Sequence, residues 1–448
     1  MENINAPLYQ ALCEHQALHR SSFHTPGHKS APGCFPPDFY QLDFTELPDT
    51  DSLFEADGPI LRAEEETARL LGTKRTLFSA GGCTLCIQAM LRLAAPQGGK
   101  IIMGRVIHRS AIHTAALLDL QPVWVMPRPD EGEGLPGRIH AQDVKQALQE
   151  NPDAKAVYLT SPDYYGGLAD IRCIADVCAP YHVPVLVDNA HGAHLWWVGK
   201  DLHPLRQGAA MTACSAHKTL PVLTGGAWLH IGDNRFVEGA KEAMALFAST
   251  SPSYPIMASL DLCRAWLQEH GEKAFARLRQ RVEDIRRVAA RKGMAAPLGP
   301  CDPVRITLHT ADIGLSGQRA AQLLRQSGVE PEYADGGYVV LIPTPFNSDE
   351  DFARLERAIA GLPVEAPLPG GKALPLPPLP PKVMTPRQAV LAPGEEIDTQ
   401  SAKGRVAAQA ACPCPPGVPV VMPGEVITEN CMEFLINYGI YRVKVVKC

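Results

Sequence analysis

Lys218, in "SAHKTLP" (215–221), sits between the small-residue run "MTACSA" and an apolar stretch, where a core strand would normally exclude charge. Alone it reads as a surface lysine laying its stem along apolar neighbours. Asp188, in "LVDNAHGAH", also follows an apolar strand, "VPVLV". An acid at the carboxyl end of a parallel strand points toward the ligand crevice of such a sheet. Taken singly Asp188 is a turn or helix cap; taken with Lys218 it suggests one chemistry. Pyridoxal phosphate needs an amine to join its aldehyde and a carboxylate to keep its pyridine nitrogen protonated, so that the ring accepts electrons.

The cofactor's phosphate needs a seat, and "SAGGCTLC" offers one. The strand "RTLF" leads into Gly82, Cys83 and Thr84, small residues that open a helix whose first amides and Thr84 hydroxyl would hold a dianion. The plainer alternative is a tight turn. His108, in "VIHRSAIHTA", falls at a strand-to-helix junction where its planar ring could stack on the pyridine; otherwise it is a helix-capping or core histidine.

These residues need a sheet to carry them. From about residue 56 to 245 short β-branched runs ("RTLFSA", "KIIMGR", "PVWVMP", "AVYLTS", "PVLVDNA", "MTACSA", "GGAWLHIG") alternate with amphipathic helical patterns, which predicts an α/β fold with a mostly parallel sheet. The organisation expected is an N-terminal arm (1–55), a large cofactor-binding domain (56–270), a small α+β domain (271–361), a Pro/Gly-rich linker (362–383) and a C-terminal segment (384–448).

Composition excludes several classes. Among 448 residues, 42 basic and 48 acidic side chains give a net charge of −6 with no long block of one sign, so nucleic acid is not an expected partner. No stretch approaches the roughly 18 apolar residues of a membrane-spanning helix, and the N-terminus lacks an apolar signal core, so a cytoplasmic protein is expected. The 13 cysteines, an odd number, read as reduced thiols. The lone pairs Cys83/Cys86 and Cys412/Cys414 lack a second pair at zinc spacing, so no metal is expected.

With those residues placed, a family resemblance emerges. "TPGHK" (25–29), "TSPDYYG" (160–166), "VDNAHGAH" (187–194), "SAHKTLP" (215–221), "STSPSYPIMASLD" (249–261), "GVEPEYAD" (328–335), "MTPRQA" (384–389) and "PPGVPVVMPGEVI" (415–427) follow the order seen in prokaryotic-type ornithine/lysine/arginine decarboxylases. The resemblance runs from about residue 22 to 430. It implies a fold-type I pyridoxal phosphate enzyme, similar to the aspartate aminotransferase architecture, of the short form without an N-terminal wing domain.

Carried over by position, the resemblance implies that Lys218 is the Schiff-base lysine and that Asp188 pairs with the pyridine nitrogen. His191 would lie near the phenolic oxygen and His108 on the ring, with Gly82, Cys83, Thr84, Ser215 and His217 around the phosphate. Gly81, Cys83, Cys86 and Ile87 stand where the family usually has Asn, Thr, Gly and Asn, and Asn189 replaces an acid; these departures bear on cofactor affinity and substrate identity. Glu330, Glu332 and Asp335 offer acids for a basic substrate, Glu332 being preferred, and His28 is expected on an arm reaching a site at a homodimer interface. The expected activity is decarboxylation of arginine to agmatine, with lysine or ornithine as alternatives. An aminotransferase or lyase on the same fold, or a degenerate regulatory paralogue, are the rival readings.

Overall fold

A computed structural model describes residues 18–24, 29, 42–47, 50–128, 135, 137–199, 201–295, 297, 299–366, 376–412 and 418–447. Its first strand, β1 (Ser21–Phe23), belongs to a peripheral pair. The next seven build one sheet: β2 (Arg75–Ser79), β3 (Gly99–Gly104), β4 (Leu120–Val125), β5 (Ala156–Thr160), β6 (Val185–Asp188), β7 (Met211–Cys214) and β8 (Ala227–Ile231). Their order is β2-β8-β7-β6-β5-β3-β4, with β8 antiparallel to both neighbours and every other pairing parallel. The sheet is thus the mostly parallel one that the alternating pattern predicts.

Both faces of this sheet are covered, which is why its strands are continuously apolar. Along β5 and β6, Tyr158 and Leu186 enter one core while Val157, Leu159, Val185 and Val187 enter the other, following the two-residue period of a strand. At their carboxyl ends Thr160 aligns with Asp188 and Asp188 with Ala213, so the aspartate sits mid-sheet at the rim.

The 38-residue helix Tyr254–Arg291 leads from this sheet to the next unit, burying Leu260, Leu267, Phe275, Leu278, Val282 and Ile285 along one stripe. That unit holds β9 (Ile306–His309), β10 (Val329–Pro331), β11 (Tyr333–Ala334) and β12 (Tyr338–Leu341). Three of these form an antiparallel sheet in the order β11-β12-β9, whereas β10 pairs in parallel with β1. Beyond it, β13 (Gly394–Asp398) and β14 (Arg442–Val446) form an antiparallel pair over the helix Glu429–Asn437, with a core that includes Val421, Ile427, Leu435 and Val445. His28, Cys414 and residues 367–375 of the Pro/Gly-rich segment lie outside the described residues.

Candidate active site

Lys218 stands on a single helical turn, Ala216–Thr219, that follows β7 directly. Its Nζ lies 3.0 Å from His191 Nε2. Burial lowers the lysine pKa, with Cys83 and then Asp188 pulling the other way. His191 is held well below its ordinary value, chiefly by burial and then by Lys218 and Arg305, so its imidazole is neutral and can exchange a proton with the amine.

Asp188 is buried at the end of β6, where Tyr158 OH donates to Oδ2 at 3.2 Å and Ala190 N–H donates to Oδ1 at 3.1 Å. The tyrosine reaches it because Tyr158 pairs with Leu186, which makes Asp188 its diagonal neighbour on the same face. Burial pushes the carboxyl pKa up, against His108 and then Lys218. A carboxylate so desolvated favours a cationic partner strongly. Tyr158 was not legible as a site residue: nothing in "AVYLTS" distinguishes it from a core aromatic.

The turn after β2 is shaped by Ser79, whose hydroxyl donates to Gly82 O at 3.0 Å and accepts from Gly81 N–H at 3.1 Å. Gly82 adopts φ +71°, open to glycine and strained for other residues, and donates its N–H to Gly225 O at 2.8 Å. The helix Gly82–Ala94 then begins with Thr84 exposed and Cys83 buried. Burial raises the Cys83 thiol pKa well above its usual range, with Asp188 adding to the effect. Ser215 precedes the Lys218 turn without capping it through its side chain. His217, lowered to about 4 mainly by burial, has a buried Nδ1 without a hydrogen-bond partner among the described residues.

His108 takes the helix-capping role weighed from sequence. It is the N-cap of the helix Arg109–Leu117, its Nδ1 accepting from Ser110 N–H at 3.3 Å and lying 2.8 Å from Ser110 Oγ, while the residue itself is exposed. The cap fixes the ring and leaves its face accessible. Surrounding protein lowers its pKa, Asp188 opposing.

The acidic loop divides. Glu330 is taken by Arg20 at 2.8 Å and Arg325 at 2.5 Å, and Asp335 is buried under Tyr165 OH at 2.7 Å and the Gly337 and Tyr338 amides. Glu332 falls in the break between β10 and β11 and accepts from Tyr164 OH at 2.8 Å. The Tyr164 ring packs edge-on against His191, centroids 5.0 Å apart. Half-buried Lys29, from the "TPGHK" arm, also senses Glu332; its ammonium is lowered to about 7 by desolvation, against the pull of that carboxylate.

Arg305, another residue the sequence reading missed, is buried just before β9. Its Nη2 donates to His191 O at 3.2 Å and its Nε lies 3.8 Å from Asp302, while Nη1 is buried without a partner among the described residues. Gly166, at φ +96°, lets the loop after β5 lie against it, since a Cβ there would meet Arg305 Cγ at 2.8 Å. With Asp302 already beside Nε, the buried Nη1 donor is what remains to bind an anionic oxygen.

The donor set fits pyridoxal phosphate, the cofactor that the resemblance implies. A desolvated carboxylate suits a protonated ring nitrogen, a buried amine of lowered pKa suits an aldehyde, and the unpartnered His217 Nδ1 and the Gly82–Thr84 helix start suit a phosphate. Comparison with known proteins agrees with the geometry. Residues 6–310 match the family "Orn/Lys/Arg decarboxylase, major domain" and residues 375–438 match "Orn/Lys/Arg decarboxylase, C-terminal domain". The chain is 32% identical to the uncharacterized protein YaaO of Bacillus subtilis, covering 96% of this chain and 94% of that one. It is 30% identical to an arginine decarboxylase of the same organism, over 98% and 94% of the two chains. The structure of the constitutive lysine decarboxylase of Escherichia coli superposes with a TM-score of 0.76 at 21% identity, covering 98% of this chain and 82% of that one.

Proposed function

We propose, from the premise that this chain belongs to the Orn/Lys/Arg decarboxylase family and is a pyridoxal phosphate-dependent decarboxylase of basic amino acids, that its substrate is L-arginine, released as agmatine and carbon dioxide. One observation carries the substrate assignment. Lys218, His191, Tyr164 and Glu332 form a continuous file, 3.0 Å from amine to imidazole, ring against ring, then 2.8 Å from phenol to carboxylate. An acid thus stands at a distance from the reactive amine spanned by one imidazole and one phenol, as a long side chain ending in a cation requires. A guanidinium fills such a site better than an ammonium because its planar fork engages carboxylate and phenol oxygens together. The 30% identity to an arginine decarboxylase over nearly the whole chain favours the same choice.

When bound, pyridoxal phosphate supplies the electron sink for the pair left behind as the carboxylate departs. Lys218 would hold its aldehyde carbon and Asp188 its ring nitrogen. His108 would face the ring, and Gly82, Cys83, Thr84, Ser215 and His217 would surround the phosphate. The chain's own groups do the rest. Tyr158 and Ala190 orient the Asp188 carboxylate. Arg305 holds the substrate's carboxylate in reach through its unspent Nη1, and Glu332 holds the distal cation. Lys218 Nζ, with a lowered pKa and held by His191 Nε2 at 3.0 Å, carries the proton that is returned to the α-carbon. A homodimer acting in the cytoplasm completes the reading.

Glu332→Gln tests it. Losing the charge of a substrate contact raises the KM for arginine by about tenfold or more, an ionic hydrogen bond being worth about 1.5–3 kcal/mol. An unchanged KM for arginine, lysine and ornithine alike would remove Glu332 from the pocket.

A further inference from the structure

Arg105 is among the largest fully buried side chains among the described residues, and it lies between β3 and His108. Among the described residues, its side-chain hydrogen bonds go to the C-terminal unit. Nη1 and Nη2 form a fork on the two Glu425 oxygens, each at 2.7 Å, while Nε donates to Pro419 O at 2.9 Å and Nη2 to Val420 O at 3.1 Å. Glu425 is fixed in turn by Met422 N–H at 2.8 Å, and the guanidinium lies over the Trp124 ring, 5.1 Å from its centroid. A second grip lies at the other end of the same segment. Arg387 Nη1 donates to Leu117 O at 2.9 Å, and its helix, Pro386–Leu391, packs along Arg109–Leu117. The segment from Arg105 to Leu117, which contains His108 and the helix it caps, is therefore held at both ends by residues from beyond position 380.

Desolvating a guanidinium and a carboxylate offsets most of their attraction, so a buried pair is a weak source of stability; a bidentate fork is good at fixing geometry. We infer that the C-terminal unit is a positioning element of the active site: through Arg105–Glu425 and Arg387–Leu117 it sets the placement of His108. The inference rests on the reading of His108 as the side chain facing the cofactor ring.

The test uses the full-length holoenzyme and four variants: His108→Ala, Glu425→Gln, Arg387→Ala and, as a packing control in the C-terminal core, Leu435→Ala. Each is measured for cofactor dissociation constant, visible circular dichroism of the bound cofactor and melting temperature. His108→Ala and Glu425→Gln are expected to weaken the dichroism and raise the dissociation constant by about tenfold, the loss expected when one charge-assisted contact that fixes a site is broken. Arg387→Ala shifts both the same way by about threefold, as for one solvent-exposed hydrogen bond. Leu435→Ala lowers the melting temperature and leaves the dichroism per bound cofactor unchanged. If His108→Ala loses the signal while Glu425→Gln and Arg387→Ala keep it, the positioning role is overturned and the reading of His108 stands. If His108→Ala keeps wild-type dichroism and affinity, the ring reading fails and the inference with it. Should Glu425→Gln not fold, Arg387→Ala, whose arginine is exposed, decides by the same criteria.

Discussion

Replacing Tyr158 by Phe removes one oxygen from a fully buried ring, and with it the phenol donor that joins Ala190 N–H on Asp188. A hydrogen bond to an ionised group contributes about 1.5–3 kcal/mol, and at 3.2 Å this O–H···O contact is longer than the usual 2.7–2.8 Å, which places it near the lower limit. Losing about 1.5 kcal/mol of support for the ionised aspartate moves its pKa further in the upward direction that burial already imposes. Asp188 would then be a weaker counter-ion for the nitrogen of the cofactor ring. If the whole amount is expressed in the transition state, kcat falls about tenfold. KM stays near wild type, since Tyr158 has no part in the file that ends at Glu332. The ring's packing survives, so the melting temperature changes by only a few degrees. Steady-state kinetics across pH, alongside a thermal melt, make the check. A kcat within twofold of wild type, with an unshifted pH profile, would refute the claim that Tyr158 supports Asp188.

Cys83→Thr places a hydroxyl where the family usually has one; cofactor affinity, measured by titrating apoprotein, is expected to rise by about threefold to tenfold, as for one added hydrogen bond. No gain would mean that the first amides of the Gly82–Ala94 helix already suffice. Lys29 carries a proton below its lowered pKa of about 7 and loses it above. Its charged form is attracted to Glu332 and would compete with the substrate's cation, so the KM for arginine should rise as pH falls through about 7, and Lys29→Met should flatten that rise. An identical KM profile in the variant would separate Lys29 from the substrate site.

Lys218, Asp188 and the turn at Gly82 were readable because each is a local event: a strand ends and a special residue follows. The partners that make them work are not local. Tyr158 reaches Asp188 only through the register of β5 on β6, and Arg305 meets His191 across 114 positions. Arg105 and Glu425 are 320 positions apart and look like ordinary surface charges in the chain. The three acids of "GVEPEYAD" could be ranked but not sorted by sequence. What separates them is the break between β10 and β11, which leaves Glu330 beside Arg20, buries Asp335, and brings Glu332 to Tyr164. His108 was read as either a cap or a ring partner, whereas its geometry allows both, because the capping nitrogen and the ring face are different parts of one side chain.

Decarboxylation of arginine by Lys218 and its file toward Glu332 is directly measurable. Purified protein loaded with pyridoxal phosphate is given arginine, lysine or ornithine, and the amine and carbon dioxide released are counted, with Lys218→Ala as the blank. Arginine is expected to give one agmatine per carbon dioxide at a higher kcat/KM than the other two, with no product and no lysine-bound visible absorbance in the variant. A keto acid or aldehyde in place of the amine, a preference for lysine or ornithine, or a Lys218→Ala protein that keeps its visible band would contradict it.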